Sequence, residues 1–176
     1  LTTLIPLILY LPSTFLFLYA YNYSTPKTIL IPKNFEGNLR VVYQENCGRN
    51  YDKTDGIKTL TFPDNGILVL NEDFDSHINY NYYLVDELGN RTKISQILDF
   101  NDRIKKLPCV LVGGSGTFFQ SIEANSKNNQ EKEIVFSDFY LYNTSIDDRN
   151  DFNNRQKLDS LTTVIVNQCR KNNGSH

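Results

Sequence analysis

The sequence predicts a mainly β protein, an antiparallel β-sandwich that carries one short helix and a C-terminal helix and that follows an N-terminal apolar helix. From residue 27 onwards, short β-branched and aromatic runs alternate with turns rich in Gly, Pro and Asn. Near the C-terminus, apolar residues recur every three or four positions, which is the helical period. We therefore divide the chain into an N-terminal segment, 1–26, and a β-sandwich domain, 27–176.

The N-terminal segment is predicted to be a signal peptide or a membrane anchor. It contains no charged residue, and positions 4–20 are almost wholly apolar. An apolar run of about 17 residues is short for a membrane-spanning helix and longer than a signal-peptide core requires. Pro6 and Pro12 each remove a helical hydrogen bond, which weakens a long rigid span. Both alternatives place the domain at the cell envelope, on the periplasmic or extracellular face.

The first half of the domain reads as strands joined by turns. Residues 28–32 and 38–44 are the first two predicted strands, and residues 57–62 alternate strictly between the two faces of a third. The turn residues Pro63-Asp64-Asn65-Gly66 then lead directly into the apolar run 67–70. Since Pro presets one backbone dihedral and Asn-Gly accepts positive φ, this arrangement predicts a β-hairpin.

The second half continues the same pattern and then changes period. A second hairpin is predicted from strands 79–86 and 91–94, and a short helix from 95–106. Further strands are predicted at 108–112, 117–122 and 133–142, with a loop at 123–132.

A helix is predicted over residues 150–172, at the C-terminus. Leu158, Leu161, Ile165 and Cys169 form its apolar stripe, and cations close it. We expect this helix to close the core, with partner binding as the alternative.

Three segments resemble an uncharacterised family of bacterial envelope proteins that carry a domain of unknown function. They are Ile31-Pro32-Lys33-Asn34-Phe35-Glu36-Gly37, Pro63-Asp64-Asn65-Gly66-Ile67-Leu68 and the run from Tyr82 to Arg91. Members of that family are small exported or lipid-anchored proteins. The resemblance covers about residues 29–94, and it implies a transthyretin-like, or prealbumin-like, β-sandwich with no established activity. No Cys follows the apolar N-terminal run, so this sequence departs from a lipid-anchored pattern.

No catalytic residue, metal site or cofactor is predicted. Asp73, Asp75 and His77 alternate and are the best candidates for a metal constellation, but a calcium loop needs a Gly and a distal Glu, and a zinc site needs further His or Cys. The glycine-rich stretch 113–116 follows a predicted strand, yet Ser115 fits neither a nucleophile elbow nor a phosphate loop. A metal-assisted hydrolase is therefore the least favoured alternative.

Whether the three cysteines form a disulfide depends on the compartment of the protein. Outside the cytoplasm, Cys47, Cys109 and Cys169 supply one disulfide and one remaining thiol. The sequence leaves all three pairings open. Cys109 in an apolar strand and Cys169 on the apolar helix stripe also fit buried small hydrophobic residues.

Tyr80 and Tyr82 are the candidate binding surface. They alternate with Asn79 and Asn81 along a predicted strand, which favours an exposed aromatic and amide-rich face. Cross-strand tyrosines also stabilise ordinary sheets, so a structural role is the favoured alternative.

The net charge of the chain argues against nucleic acid as a partner. The chain has 18 Lys and Arg against 20 Asp and Glu, a net charge of -2, which lacks the cationic footprint of a nucleic-acid-binding protein. The predicted partners are the membrane, through an uncleaved N-terminal segment, and a protein or glycan. We therefore expect a non-enzymatic binding or structural accessory module of the envelope, with a small inhibitor or immunity-type partner of another envelope protein as the alternative.

Overall fold

The described residues of the domain form nine strands and a C-terminal helix. The computed structural model describes residues 12–15, 26–54, 56–74, 79–98, 107–120, 132–143 and 152–173. The strands are β1 (Lys27–Pro32), β2 (Gly37–Tyr43), β3 (Asp52–Thr54), β4 (Ile57–Thr61), β5 (Ile67–Val69), β6 (Tyr80–Val85), β7 (Arg91–Ile97), β8 (Cys109–Gln120) and β9 (Lys132–Tyr142). The C-terminal helix is Phe152–Asn173, which confirms the predicted element.

The strands form one mixed sheet in the order β3-β4-β1-β6-β7-β8-β9-β2-β5. The pairs β1–β4, β1–β6, β2–β5 and β7–β8 are parallel. The remaining described pairs are antiparallel. The mainly β fold is confirmed, whereas the purely antiparallel pairing is wrong and the transthyretin-like arrangement is not confirmed.

The predicted hairpin of residues 57–70 is wrong because its two strands join different partners. Before the turn, the Phe62 amide donates to the Leu30 carbonyl of β1 at 2.9 Å, and after it the Gly66 carbonyl accepts from the Arg40 amide of β2 at 2.8 Å. The turn itself forms, with the Gly66 amide donating to the Pro63 carbonyl. It carries the chain from one part of the curled sheet to another.

The hairpin of β6 and β7 is confirmed, and β7 explains why the predicted helix 95–106 is wrong at its start. Ser95, Gln96 and Ile97 pair with β8 in the strand. Ile94 and Ile97, three positions apart on a strand, point to opposite faces and enter different apolar clusters. Residues 99–106 lie outside the described residues.

The predicted strands 108–112 and 117–122 form the single strand β8 through residue 120. The register against β9 shifts between Val112 and Ser115, which marks a bulge at the glycines. A Cβ on Gly113 would lie 2.7 Å from the Asp138 carbonyl oxygen, so the close approach of β9 requires a glycine there. Residue 133 onward lies in β9 as predicted, while residues 123–131 of the predicted loop, 123–132, lie outside the described residues.

The sheet curls, so that side chains from distant strands meet in a central core. Tyr82 of β6 contacts Phe139 of β9, three places along the sheet, with ring centroids 6.2 Å apart. On the outer face, Leu158 and Val166 of the C-terminal helix pack with Val42, Ile67 and Ile134. The central core contains, among others, Ile29, Ile31, Leu39, Val41, Leu60, Leu68, Leu84, Val110 and Leu141.

The predicted signal or anchor segment is described only at residues 12–15 and at Pro26. Among the described residues of the chain, no helix combines the length and the apolar character that crossing a membrane requires. The division at residue 26 stays a prediction.

Candidate binding cleft

The structure buries Tyr80 and Tyr82, so the predicted exposed tyrosine surface is wrong. The two residues are 8% and 1% exposed, and both pack edge-on against Phe139. Strand β6 turns its aromatic face inward, while Asn79, just before it, stays exposed. Burial raises the pKa of both tyrosine hydroxyls above the ordinary value. These rings are part of the core.

Of the three residues considered as metal ligands, only one lies in the described structure. Asp73 is exposed, and Asp75 and His77 lie outside the described residues. The described residues hold no group of three or more potential His, Cys, Asp or Glu ligands. Ser115 donates to or accepts from the Ser137 hydroxyl of β9 at 2.8 Å, a contact within the sheet.

The cysteines resolve into one disulfide and one buried thiol. Cys47, in the connection after β2, is bonded to Cys169 of the C-terminal helix, with 5.5 Å between the Cα atoms. Cys109 is buried in β8. Of the three pairings left open by the sequence, the structure selects the one that fastens the helix to the sheet.

A cleft lies where three parallel strands end. β4, β1 and β6 are neighbours in the sheet and run in the same direction. Their carboxyl ends therefore meet at one edge, and the turns that follow them surround an open space of about 1040 Å³. We call this space the three-turn cleft; its turns are residues 33–36, 63–66 and 86–90.

The first two turns of the three-turn cleft are packed against each other. The Phe35 amide donates to the Pro32 carbonyl at 2.9 Å, and the Lys33 amide donates to the Val85 carbonyl of β6 at 2.8 Å. Gly66 has a φ of 73°, and a Cβ there would lie 2.6 Å from Cζ of Phe35. The half-buried Phe35 ring thus covers Gly66 and joins the two turns.

The third turn is organised by the Asp86 carboxylate. It accepts hydrogen bonds from the Leu88 amide at 3.0 Å, the Asn90 amide at 2.8 Å and the Asn90 side-chain amide at 3.0 Å. The Asn90 side chain, the Asn90 amide and the Leu88 amide together hold the pKa of Asp86 below its ordinary value, so it is ionised. This turn presents Leu88 to solvent, with 87% of the residue exposed.

The three-turn cleft combines an apolar wall with an acidic rim. Apolar lining comes from β1, β6 and their turns, including Phe35, Val85 and Leu88. Asp64 and Glu87 have neither an ion-pair partner nor a side-chain hydrogen bond among the described residues. The charged residues of the lining are Lys33, Glu36, Asp64, Asp86 and Glu87, four carboxylates and one ammonium.

A second polar cluster has the buried Arg40 of β2 at its centre. Arg40 is 1% exposed and forms a bidentate ion pair with Asp138 of β9, at 2.7 and 2.9 Å. From the C-terminal helix, Asp159 accepts from Arg40 at 2.6 Å and Thr162 at 3.3 Å. Burial lowers the pKa of Arg40, but the bonds and charges of the two carboxylates outweigh burial, and the net direction is upward. The guanidinium also lies 4.0 Å from the Phe136 ring centroid.

The Arg40 cluster attaches the first half of the C-terminal helix to the sheet, and two further contacts attach its last turn. Arg170 of the helix forms an ion pair with the buried Glu45, with Nε and Oε2 2.8 Å apart. The Asn173 side chain donates to the Asn46 carbonyl at 3.1 Å. With the Cys47–Cys169 disulfide, these contacts assign the second cluster to structure rather than ligand binding.

The sequence indicated all three turns but did not indicate that they lie next to one another in the fold. The segments that carry the family resemblance contain residues 33–36, 63–66 and 86–90. Purely antiparallel pairing would have separated turns that follow neighbouring strands. The missing information was the parallel pairing of β4, β1 and β6.

Comparison with known proteins gives a family and a fold relative. A crystal structure from Bacillus anthracis with the name "Putative Lipoprotein" superposes with a TM-score of 0.54 at 21% identity, covering 80% of this chain and 95% of that one. At that identity the likeness shows the fold alone. None of the curated proteins matches the chain. A model of a family of unknown function, DUF6843, matches residues 23–152, about three quarters of the chain, and the protein therefore belongs to that family.

Proposed function

We propose that this protein is an exported, envelope-associated domain that binds a partner through the three-turn cleft and catalyses no reaction. The observation that carries the proposal is the three-turn cleft itself, which joins an exposed apolar residue, Leu88, to two exposed carboxylates, Asp64 and Glu87, that have no ion-pair partner among the described residues. Apolar area beside a few polar groups is the usual composition of a binding site.

Export is supported by the disulfide and by the uncharged N-terminal segment. Disulfides such as Cys47–Cys169 persist in oxidising compartments and are rare in the bacterial cytoplasm. The uncharged segment 1–26 suits a signal peptide or an anchor. The name of the Bacillus anthracis fold relative points to the same location.

Binding is favoured over catalysis by the solvent exposure of the rim. Catalytic acids and bases usually owe their displaced pKa to burial or to like charges. The displaced pKa of Asp86 instead comes from hydrogen bonds within its own turn. The rim carboxylates at Asp64 and Glu87 are open to water, which suits contact with a partner.

Site-specific photocrosslinking in cells tests this function. A photoreactive side chain replaces Leu88 at the three-turn cleft, and in a matched variant it replaces Leu98, which is also exposed, at 82%, but lies beyond β7. We expect a discrete crosslinked product at position 88 and none at 98, in the envelope fraction. Equal crosslinking at both positions would remove the three-turn cleft as the binding site, and an intact chain in the cytoplasm would remove the export hypothesis.

A further inference from the structure

We infer that the partner presents a basic segment with an apolar side chain, so that Lys or Arg residues meet the rim of the three-turn cleft while the apolar group packs on Phe35 and Leu88. This inference rests on the proposed function, because it names the chemistry of the ligand for the same three-turn cleft.

The charge of the chain is concentrated at the three-turn cleft. Four carboxylates and one lysine give its lining a formal charge of -3, whereas the whole chain has a net charge of -2. The rest of the chain is therefore almost neutral. A local field of this sign attracts cations and repels phosphates, anionic lipid headgroups and acidic peptides.

The carboxylates are available to a partner to different degrees. The Asp86 carboxylate already accepts hydrogen bonds from Asn90 and Leu88, and the positive charge of Lys33 also acts on it. Asp64 and Glu87 lie on different turns, are exposed, and have no ion-pair partner in the part of the chain that the structure describes. Two separated cations on one segment match these two carboxylates.

The apolar wall sets the second requirement. Leu88 is held outward by a turn with five hydrogen bonds, so the exposure of this side chain is built into the backbone. Phe35 is only half buried and Val85 likewise. A simple polyamine or a polar glycan leaves these surfaces wet, whereas a peptide with an apolar residue between basic ones covers them.

The test uses three synthetic octapeptides of equal length, one alternating Lys and Leu, one alternating Glu and Leu, and one alternating Lys and Ser. Each is titrated into the full ¹⁵N-labelled chain, with amide shifts followed residue by residue. We expect only the Lys-Leu peptide to saturate, with the largest shifts at Lys33, Asp64, Glu87 and Leu88. We also expect its affinity to fall several-fold when the salt concentration is raised, because screening weakens rim charges.

Charge-removing variants complete the experiment. D64N/E87Q is expected to weaken Lys-Leu binding roughly three- to tenfold. The matched control D73N/E133Q removes two exposed carboxylates outside the three-turn cleft and is expected to leave the affinity unchanged.

Three outcomes would overturn the inference. Equal binding of the Glu-Leu peptide at the three-turn cleft would show that the rim charge does not select the ligand, and the proposed binding site would stand. Saturation by the Lys-Ser peptide at the same affinity would remove the apolar requirement. Shifts only outside the three-turn cleft would reject the basic segment as its ligand, while the Leu88 crosslinks decide separately whether it binds a partner at all.

Discussion

Gly66 is the residue on which two walls of the three-turn cleft depend. It has positive φ, 73°, and a Cβ there would lie 2.6 Å from Phe35 Cζ and 2.8 Å from the Asn38 carbonyl oxygen. Gly89 also has positive φ, 83°, but nothing lies within 4 Å of an added Cβ. Comparing alanine substitutions at the two glycines therefore separates the cost of backbone strain from the cost of steric contact.

We predict that G89A lowers the free energy of unfolding by about 1 kcal/mol, from backbone strain alone. G66A should lower it by roughly 1–3 kcal/mol more, because the Phe35 ring must move as well. Urea denaturation of the two variants measures the difference. Equal losses would show that Phe35 does not hold the first two turns together.

The Asp86 carboxylate makes the third turn sensitive to acid. Its pKa is held below the ordinary value chiefly by the Asn90 side chain. A carboxyl whose pKa is lower in the folded state stabilises the fold above its unfolded pKa, and this contribution is lost as the pH falls through the folded pKa. N90A should therefore raise the Asp86 pKa towards the ordinary value, as followed by NMR titration of the carboxyl carbon. An unchanged pKa would mean that the backbone amides alone set it.

Tyr80 and Tyr82 show what alternation in a sequence can and cannot reveal. The pattern predicted correctly that the two rings share one face of a strand. It did not reveal which face is inside, because tyrosine suits both a core and a binding surface. The deciding contact, Phe139, lies far along the chain and is invisible to local spacing.

At the scale of elements, the Arg40 cluster joins β2, β9 and the C-terminal helix. We predict that R40M lowers the free energy of unfolding by roughly 3–5 kcal/mol, because the carboxylate of Asp138, whose side chain is 8% exposed, loses its cation. D159N should cost within about 1 kcal/mol, because the Asp159 side chain is 45% exposed and water replaces the contact. Chemical denaturation measures both.

The double variant R40M/D138N is the control for this interpretation. Removing both charges leaves no unpaired buried ion, so part of the stability lost in R40M should return. If the double variant were no more stable than R40M, the unpaired Asp138 carboxylate would not be the source of the loss, and the lost contact of the Arg40 guanidinium with the Phe136 ring would account for more of it.

Individual strands were predictable from sequence, and their partners were not. The β-branched runs placed β1, β2, β4, β5, β6 and β9 close to their observed bounds. The turn at Pro63–Gly66 carries the same residues whether it closes a hairpin or crosses between parts of the sheet, so the local pattern could not distinguish the two. Likewise, Ile94 and Ile97 of β7 are both buried because that strand changes partner from β6 to β8.

At the scale of the whole molecule, the Cys47–Cys169 disulfide closes a loop across most of the chain. The two cysteines are 122 residues apart. Chain-entropy arguments give about 5 kcal/mol for a loop of this length, with measured losses typically 2–5 kcal/mol. We predict a loss of that size for C47S/C169S in denaturant unfolding.

Reduction of the unmodified chain is the matched measurement for this prediction. The reduced protein should unfold at the same denaturant concentration as C47S/C169S, because both lack the same bond. A disulfide to Cys109 in either single variant, detected by peptide mass spectrometry, would contradict the burial of that thiol in β8.

The class of the fold followed from composition and periodicity, but the three-turn cleft needed the whole sheet. A mainly β domain with a C-terminal helix was predicted from short alternating runs and a final helical stripe. The three-turn cleft depends on β4, β1 and β6 lying side by side in one direction, a long-range arrangement that no turn signature encodes.

Under the proposed export, the position of the disulfide sets an order in which the cysteines meet the oxidising compartment. A chain that crosses the membrane with its N-terminus leading exposes Cys47 first, Cys109 next and Cys169 last. Cys47 must therefore wait until the C-terminal helix has emerged, and Cys109 is the competing thiol during that interval. Because pairing of β8 with β9 buries Cys109, a chain whose sheet has assembled presents only Cys47 and Cys169 for disulfide formation.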